Sequence, residues 1–121
     1  MLTRIDHIDL RVPVLADAVA FFTTLGLRQV RAFGPPRQSV EMALPGPDQV
    51  LLEIREDPAV TGTTVDHIAF AADDDRAALD ALKAAGLSFS REAHLVATTG
   101  RRVSNFTDPH GGKWQLTEEY R

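Results

Sequence analysis

The sequence predicts an α+β protein made of two βαβββ modules, residues 1–56 and 64–121, within a single domain. Three observations carry that expectation. Asp6-His7-Ile8 recurs as Asp66-His67-Ile68, an offset of 60 residues (7 to 67), and the same offset carries Leu25-Gly26-Leu27 onto Ala85-Gly86-Leu87. A chain with two matching halves is a duplicated module. Each half also opens on an alternating segment, passes through a helix-period segment, and returns to alternation. Apolar residues make up 44% and charged residues 25% of 121, the profile of a globular domain. A half of that length is marginal alone, so the halves must share a core or borrow one from a partner chain.

In the first half, residues 4–12 alternate as a strand and Pro13 ends it. From Val14 to Leu25, Leu15, Ala18, Val19, Phe22 and Leu25 recur at helical spacing, and Gly26 is placed as a left-handed cap. Leu27 to Phe33 reads as a strand and Gly34-Pro35-Pro36 as a turn. Ser39 to Leu44 and Gln49 to Arg55 are two more strands around the turn Pro45-Gly46-Pro47-Asp48. After a linker at 56–63, Val65 to Ala71 reads as a strand. The aspartates at 73–75 can cap a helix to Ala85 that buries Leu79 and Leu82, and Gly86 closes it. Strands are expected at Leu87 to Arg91, Arg101 to Thr107 and Lys113 to Tyr120, with a long connection over 92–100.

A net charge of −4, a pI near 5.5 and no basic run argue against a nucleic-acid partner. No apolar run approaches a membrane span, and no secretory leader is expected. With no cysteine, any metal must be held by His, Glu, Asp or Gln, and a cytoplasmic protein is expected.

Strand side chains alternate between faces. Ile8, Leu10 and Val12 oppose His7, Asp9 and Arg11; Leu52 and Ile54 oppose Glu53; Ile68 and Phe70 oppose His67; Trp114 and Leu116 oppose Gln115. If helices cover the apolar faces, His7, Glu53, His67 and Gln115 all fall on the opposite face. A lone strand histidine is ordinarily structural and a strand glutamate ordinarily solvated. Recurrence at matched spacing (7 to 53 and 67 to 115) tips the balance toward a metal site. Two imidazoles, one carboxylate and one amide oxygen suit Ni²⁺, Co²⁺, Mn²⁺, Fe²⁺ or Zn²⁺, with positions left for water or substrate.

At these residues the chain resembles the vicinal oxygen chelate superfamily, which includes glyoxalase I, methylmalonyl-CoA epimerase, extradiol dioxygenases, fosfomycin resistance proteins and bleomycin-binding proteins. The carriers are Asp6-His7-Ile8, Ala20-Phe21-Phe22 with Leu25-Gly26-Leu27, Leu51-Leu52-Glu53, Asp66-His67-Ile68-Ala69-Phe70, and Phe106-Thr107-Asp108-Pro109-His110-Gly111 ahead of Trp114-Gln115-Leu116. The resemblance implies an open, cup-shaped mixed sheet around a divalent metal, helices on its outer face. It also implies a homodimer, each site combining His7 and Glu53 of one subunit with His67 and Gln115 of the other. Gln115 departs from the glutamate usual there; it can coordinate through oxygen but cannot take a proton. Glyoxalase I is the nearest activity by local similarity, and Arg11 sits where that enzyme has an arginine for the glutathione carboxylate.

The expected function is therefore a metal-dependent, glyoxalase-like lyase or isomerase acting on a small molecule. A proton leaves the carbon next to a metal-bound carbonyl, with an enediolate intermediate. Lewis-acid help lowers that barrier by several kcal/mol. Glu53 is the first choice of base, and Glu41 is the second if its side chain reaches the same face. Two alternatives stand beside this. An Fe²⁺ extradiol dioxygenase would use His7, His67 and Glu53; against it, only His94, His110 and Tyr120 remain for proton handling, and the pattern puts none of them in the cup. A non-catalytic, bleomycin-resistance-like protein would hold a planar or cationic compound against Trp114, Phe33 or Phe106. Arg101-Arg102 offers at most one guanidinium to a substrate anion, since neighbours on a strand point to opposite faces.

Overall fold

The structure, a computed structural model, describes residues 1–118. The described elements run in the order β1 (Leu2–Val12), α1 (Leu15–Thr24), β2 (Arg28–Phe33), β3 (Ser39–Ala43), β4 (Leu51–Glu56), β5 (Thr64–Ala72), α2 (Asp75–Ala84), β6 (Phe89–Leu95), β7 (Arg102–Thr107) and β8 (Lys113–Glu118). The βαβββ order occurs twice and the fold is α+β. Glu119 and Tyr120, expected at the end of the last strand, lie outside the described residues. His7–Asp66 forms one compact unit, and Met1–Asp6 with the chain from His67 onward forms the other.

In the His7–Asp66 unit the strand order is β2-β3-β4-β1. β1 runs parallel to β4, while β3 is antiparallel to both β2 and β4, so the sheet is mixed. Leu10, Val12, Val40, Met42 and Ile54 form the buried layer, with Ala18, Val19 and Phe22 of α1 packed on it. Each fully buried aliphatic side chain contributes about 1.5–3 kcal/mol. This is the alternation expected from the sequence: Leu10 and Val12 face the helix, and His7 and Asp9 do not. Val14 precedes α1 without a side-chain cap. The carboxylate at the end of β4 does that work, since Glu56 Oε2 accepts from the Leu15 amide at 2.9 Å.

The repeated Leu-Gly-Leu and Ala-Gly-Leu segments are the same helix stop built twice. Gly26 (φ 99°) and Gly86 (φ 102°) occupy left-handed backbone. The Leu27 amide donates to Phe22 O at 3.1 Å and the Gly26 amide to Thr23 O at 3.0 Å; Leu87 to Leu82 O and Gly86 to Lys83 O repeat those bonds at 3.1 and 3.0 Å. This is a Schellman motif, which satisfies the last helical carbonyls and needs a residue free to take positive φ.

In the other unit the order is β5-β8-β7-β6, with β5 parallel to β8 and the remaining pairs antiparallel. Ala72, Ala78, Leu79 and Leu116 form its core, with Phe89 and Phe106 against it. Of the aspartates at 73–75, Asp74 is the cap, its Oδ1 accepting from the Ala77 amide at 3.0 Å. Asp75 instead holds Arg102 of β7 through Nε at 2.9 Å and Nη2 at 2.7 Å. The strand after α2 differs from expectation: it begins at Phe89 and continues to Leu95. Its register against β7 shifts twice, between Phe89 and Arg91 and between Arg91 and His94. Ala93 sits at φ 46°, a bulge conformation, with its amide held by Ser104 Oγ at 2.8 Å. Bulges break alternation, which is why the sequence pattern faded there.

The Arg102 guanidinium lowers the Asp75 pKa below the usual carboxylate range, against the opposing effect of burial. The sign follows directly. The pair's contribution is complete above the ordinary Asp pKa of about 3.9 and is lost as pH falls through the lowered folded value. Asp75→Asn is expected to cost about 2 kcal/mol at neutral pH, the scale of a charge-assisted hydrogen bond. Urea unfolding of both proteins at pH 7, 5 and 3 checks this: the difference should hold to about pH 4 and shrink below it. Among the described residues, no helix is long and apolar enough to cross a membrane.

Candidate functional site

The polar face of the His7–Asp66 sheet carries one cross-strand row. Asp9 of β1 is paired in register with Glu53 of β4, Glu53 with Glu41 of β3, and Glu41 with Arg31 of β2. Glu41 thus reaches the face that the sequence reading required of it. Asp9, Glu41 and Glu53 are all buried, the most exposed of them at 4%. Like charges placed opposite one another on neighbouring strands repel, and each of these three carboxylates has a guanidinium on it. Arg11 Nε lies 2.8 Å from Asp9 Oδ1, and Arg31 Nε and Nη2 lie 2.7 and 3.3 Å from the two oxygens of Glu41. Arg37 Nη2 donates to Glu53 Oε1.

His7 sits two residues before Asp9 on β1, diagonal to Glu53. Its buried Nε2 approaches Glu53 Oε2 at 3.8 Å. One cation with ligand bonds of about 2.0–2.2 Å reaches both atoms, so this pair fits a divalent metal by distance and by donor type.

The second unit repeats the register. Ala69 of β5 pairs with Gln115 of β8, Gln115 with Asn105 of β7, and Asn105 with Arg91 of β6. His67, two residues before Ala69, is diagonal to Gln115 just as His7 is to Glu53. The rows Asp9–Glu53–Glu41–Arg31 and Ala69–Gln115–Asn105–Arg91 correspond strand by strand. One is acidic and the other has amides at its two central positions. Among the described residues, Asn105 Oδ1 is buried without a hydrogen-bond partner, an oxygen donor the protein itself leaves unused.

Most of the other sequence candidates find protein partners. Arg11 lies on the polar face, but besides Asp9 its Nη2 is 3.4 Å from Asp66 Oδ2, so its visible partners are the chain's own carboxylates. Arg101 is buried with its Nε 3.4 Å from Asp6 Oδ2, and Arg102 is held by Asp75 and Glu118. His94 and His110 are exposed, and Tyr120 lies outside the described residues. Phe106 packs on Phe89 with centroids 5.2 Å apart. Phe33 lies under two guanidiniums, Arg31 at 4.9 Å and Arg37 at 6.0 Å. Trp114 stacks on Phe70 at 5.6 Å and donates from Nε1 to Asp108 Oδ2 at 2.8 Å. That bond, with the amides of His110 and Gly112, keeps the Asp108 pKa below the usual range.

Gly112 closes tightly on this turn: a Cβ there would lie 2.3 Å from Asp108 Oδ2 and 3.3 Å from Trp114 Nε1. Gly112→Ala is expected to push the carboxylate off the indole, lowering the melting temperature by several degrees and changing the tryptophan fluorescence. An unchanged emission spectrum would count against this account.

The site residues that the sequence reading missed are Arg31 and Arg37. Arg31 was findable as the opposite charge facing Glu41 across a short hairpin. Arg37 follows Gly-Pro-Pro in a loop, where no periodicity reports direction.

The family model described as the glyoxalase/bleomycin resistance protein/dioxygenase superfamily matches residues 4–116. The chain belongs to this superfamily. Its fold is that of the vicinal oxygen chelate proteins, and the similar solved structures include methylmalonyl-CoA epimerases. A variant of the Streptomyces coelicolor enzyme in complex with 2-nitronate-propionyl-CoA is 23% identical, with a TM-score of 0.81 over 100% of both chains. The Mycobacterium tuberculosis enzyme is 18% identical, with a TM-score of 0.84 over 99% of this chain and 90% of its own. A methylmalonyl-CoA epimerase in complex with methylmalonyl-CoA and NH4+ is 23% identical, with a TM-score of 0.75 over 98% and 96%. No curated protein matches the chain. At these identities the neighbours show the fold, and the superfamily description spans glyoxalases, dioxygenases and bleomycin resistance proteins.

Proposed function

We propose that this superfamily member is a divalent-metal-dependent lyase or isomerase that removes a proton from the carbon next to a carbonyl. The observation that supports this most is the convergence of His7 Nε2 and Glu53 Oε2, with Glu41 directly across the strand pair from Glu53. His7, Glu53, His67 and Gln115 are the proposed metal ligands. The cation, when bound, would supply Lewis acidity to the substrate carbonyl.

The sequence reading put the base on Glu53 first and Glu41 second. The cross-strand geometry favours the reverse order. A carboxylate that ligates a cation is a poorer base, whereas Glu41 is a neighbour that need not ligate. Arg31 holds Glu41 ready and, with its side chain 37% exposed, has room to move aside. In the second row, Gln115 and Asn105 stand where Glu53 and Glu41 stand in the first, and neither amide can accept a proton. Proton transfer is thus assigned to the acidic row alone. That is closer to glyoxalase-like chemistry with one base than to an epimerisation needing an acceptor on each side.

Substrate candidates are methylglyoxal–glutathione hemithioacetal and α-branched acyl thioesters, the latter suggested by the structural neighbours. The test is elemental analysis of the purified protein, followed by exchange of the α-proton of each candidate in D₂O with the metal found. A protein that takes up none of the five metals, or exchanges none of these protons when loaded, rejects the reading. We further propose a homodimer, as the resemblance implies, in the cytoplasm, the compartment that a cysteine-free sequence suits. The absence of any fully buried residue in α1 and the 59% exposure of Phe21 are compatible with a second chain, and sedimentation equilibrium checks it.

A further inference from the structure

One contact at the site is left unused by this chemistry: the guanidinium of Arg37 on Glu53. We propose that Arg37 is a resident counter-cation, which neutralises Glu53 in the metal-free chain and is displaced from it when a divalent cation binds. The inference rests on the metal reading of His7 and Glu53.

Glu53 is 4% exposed, and a buried carboxylate without a cation is strongly disfavoured. Its two oxygens are divided. Oε2 faces His7 Nε2 at 3.8 Å, and Oε1 accepts from Arg37 Nη2. A dication entering beside His7 would meet a guanidinium already on the same carboxylate, and like charges in a poorly solvated setting repel strongly. One of the two has to yield.

Of the three guanidiniums on the acidic row, Arg11 and Arg31 arise from β1 and β2, where ladder hydrogen bonds fix the backbone. Arg37 arises from the loop between β2 and β3, and loops open at lower cost than paired strands. It also has somewhere to go. Its Nε already donates to Ser39 Oγ at 3.0 Å, and its Cζ lies 6.0 Å from the Phe33 ring, which Arg31 covers at 4.9 Å. Released from Glu53, Arg37 joins Arg31 against that ring, and two guanidiniums around one aromatic face suit an anionic group on the substrate.

The test is Co²⁺ titration of wild type and Arg37→Met, followed by visible absorption and by thermal melting with and without Co²⁺. Arg37→Met is expected to melt lower than wild type without metal, because the buried Glu53 carboxylate loses the guanidinium on its Oε1. It is expected to bind Co²⁺ at least about tenfold more tightly, because no buried pair has to be broken first. Arg37→Lys, which keeps the charge, is expected to bind Co²⁺ like wild type. An affinity unchanged in Arg37→Met, or reduced by about 10–100-fold as for a residue that only orients a ligand, overturns the proposal. So does a gain of the same size in Arg37→Lys. If Arg37→Met fails to fold without metal, recovery on adding Co²⁺ supports the exchange, and no recovery under conditions where wild type binds Co²⁺ overturns it. Absence of Co²⁺ binding by both proteins overturns the metal reading itself; binding by wild type without a gain in Arg37→Met overturns only the role of Arg37.

Discussion

Glu41→Gln is expected to keep its metal and lose α-proton exchange by about 10²–10⁴-fold, the usual contribution of a positioned acid–base group. Glutamine is nearly isosteric, and Glu41 lies beside the proposed ligand set without belonging to it, so the metal should stay. Arg31 loses its charged partner, but its exposed side chain can turn to water, which keeps the stability cost small. Glu53→Gln should behave differently. It replaces a proposed ligand and removes the charge facing His7, so metal affinity falls first and turnover falls with it. Measuring bound metal and deuterium wash-in on the same samples separates the two roles. Full exchange in Glu41→Gln alongside metal-replete but silent Glu53→Gln would return the base to Glu53.

Asp6→Ala is the substitution expected to cost most in stability. Asp6 is fully buried, with Arg101 Nε at 3.4 Å and Arg4 Nη2 at 3.6 Å, and Arg101 is itself only 2% exposed. Truncating the acid strands buried positive charge, which typically costs about 3–5 kcal/mol against a whole-domain stability of about 5–15 kcal/mol. Urea unfolding should show a midpoint far below wild type, or a chain already partly unfolded in buffer. A loss below about 1 kcal/mol would mean that water solvates Arg101.

The architecture was legible because its signals are local. Alternation fixed which residues of β1 face the helix, and Gly26 and Gly86 marked two helix stops through the φ they alone tolerate easily. The matched placement of the two histidines was legible for a related reason: a repeat that sets His7 diagonal to Glu53 and His67 diagonal to Gln115 can be read from spacing plus face. Register was not legible. Nothing in Ser39-Val40-Glu41 says which residue lies opposite Glu53, so the acidic row and its amide counterpart emerged only with the strand pairing. Arg37 was hidden, and the partner of Arg101 with it, because each leaves a loop, where direction depends on tertiary contacts. Tracing β6 failed at Ala93, where a bulge puts an unexpected residue into left-handed backbone.

The two matched rows carry a consequence for stereochemistry. Duplication gave both halves the same scaffold, yet carboxylates stand at the two central positions of one row and amides at those of the other. With the base assigned, as proposed, to the acidic row alone, a prochiral carbon facing that row is approached by acid or base from a single side. Product formed in heavy water should therefore carry its label in one mirror-related position, with a single handedness.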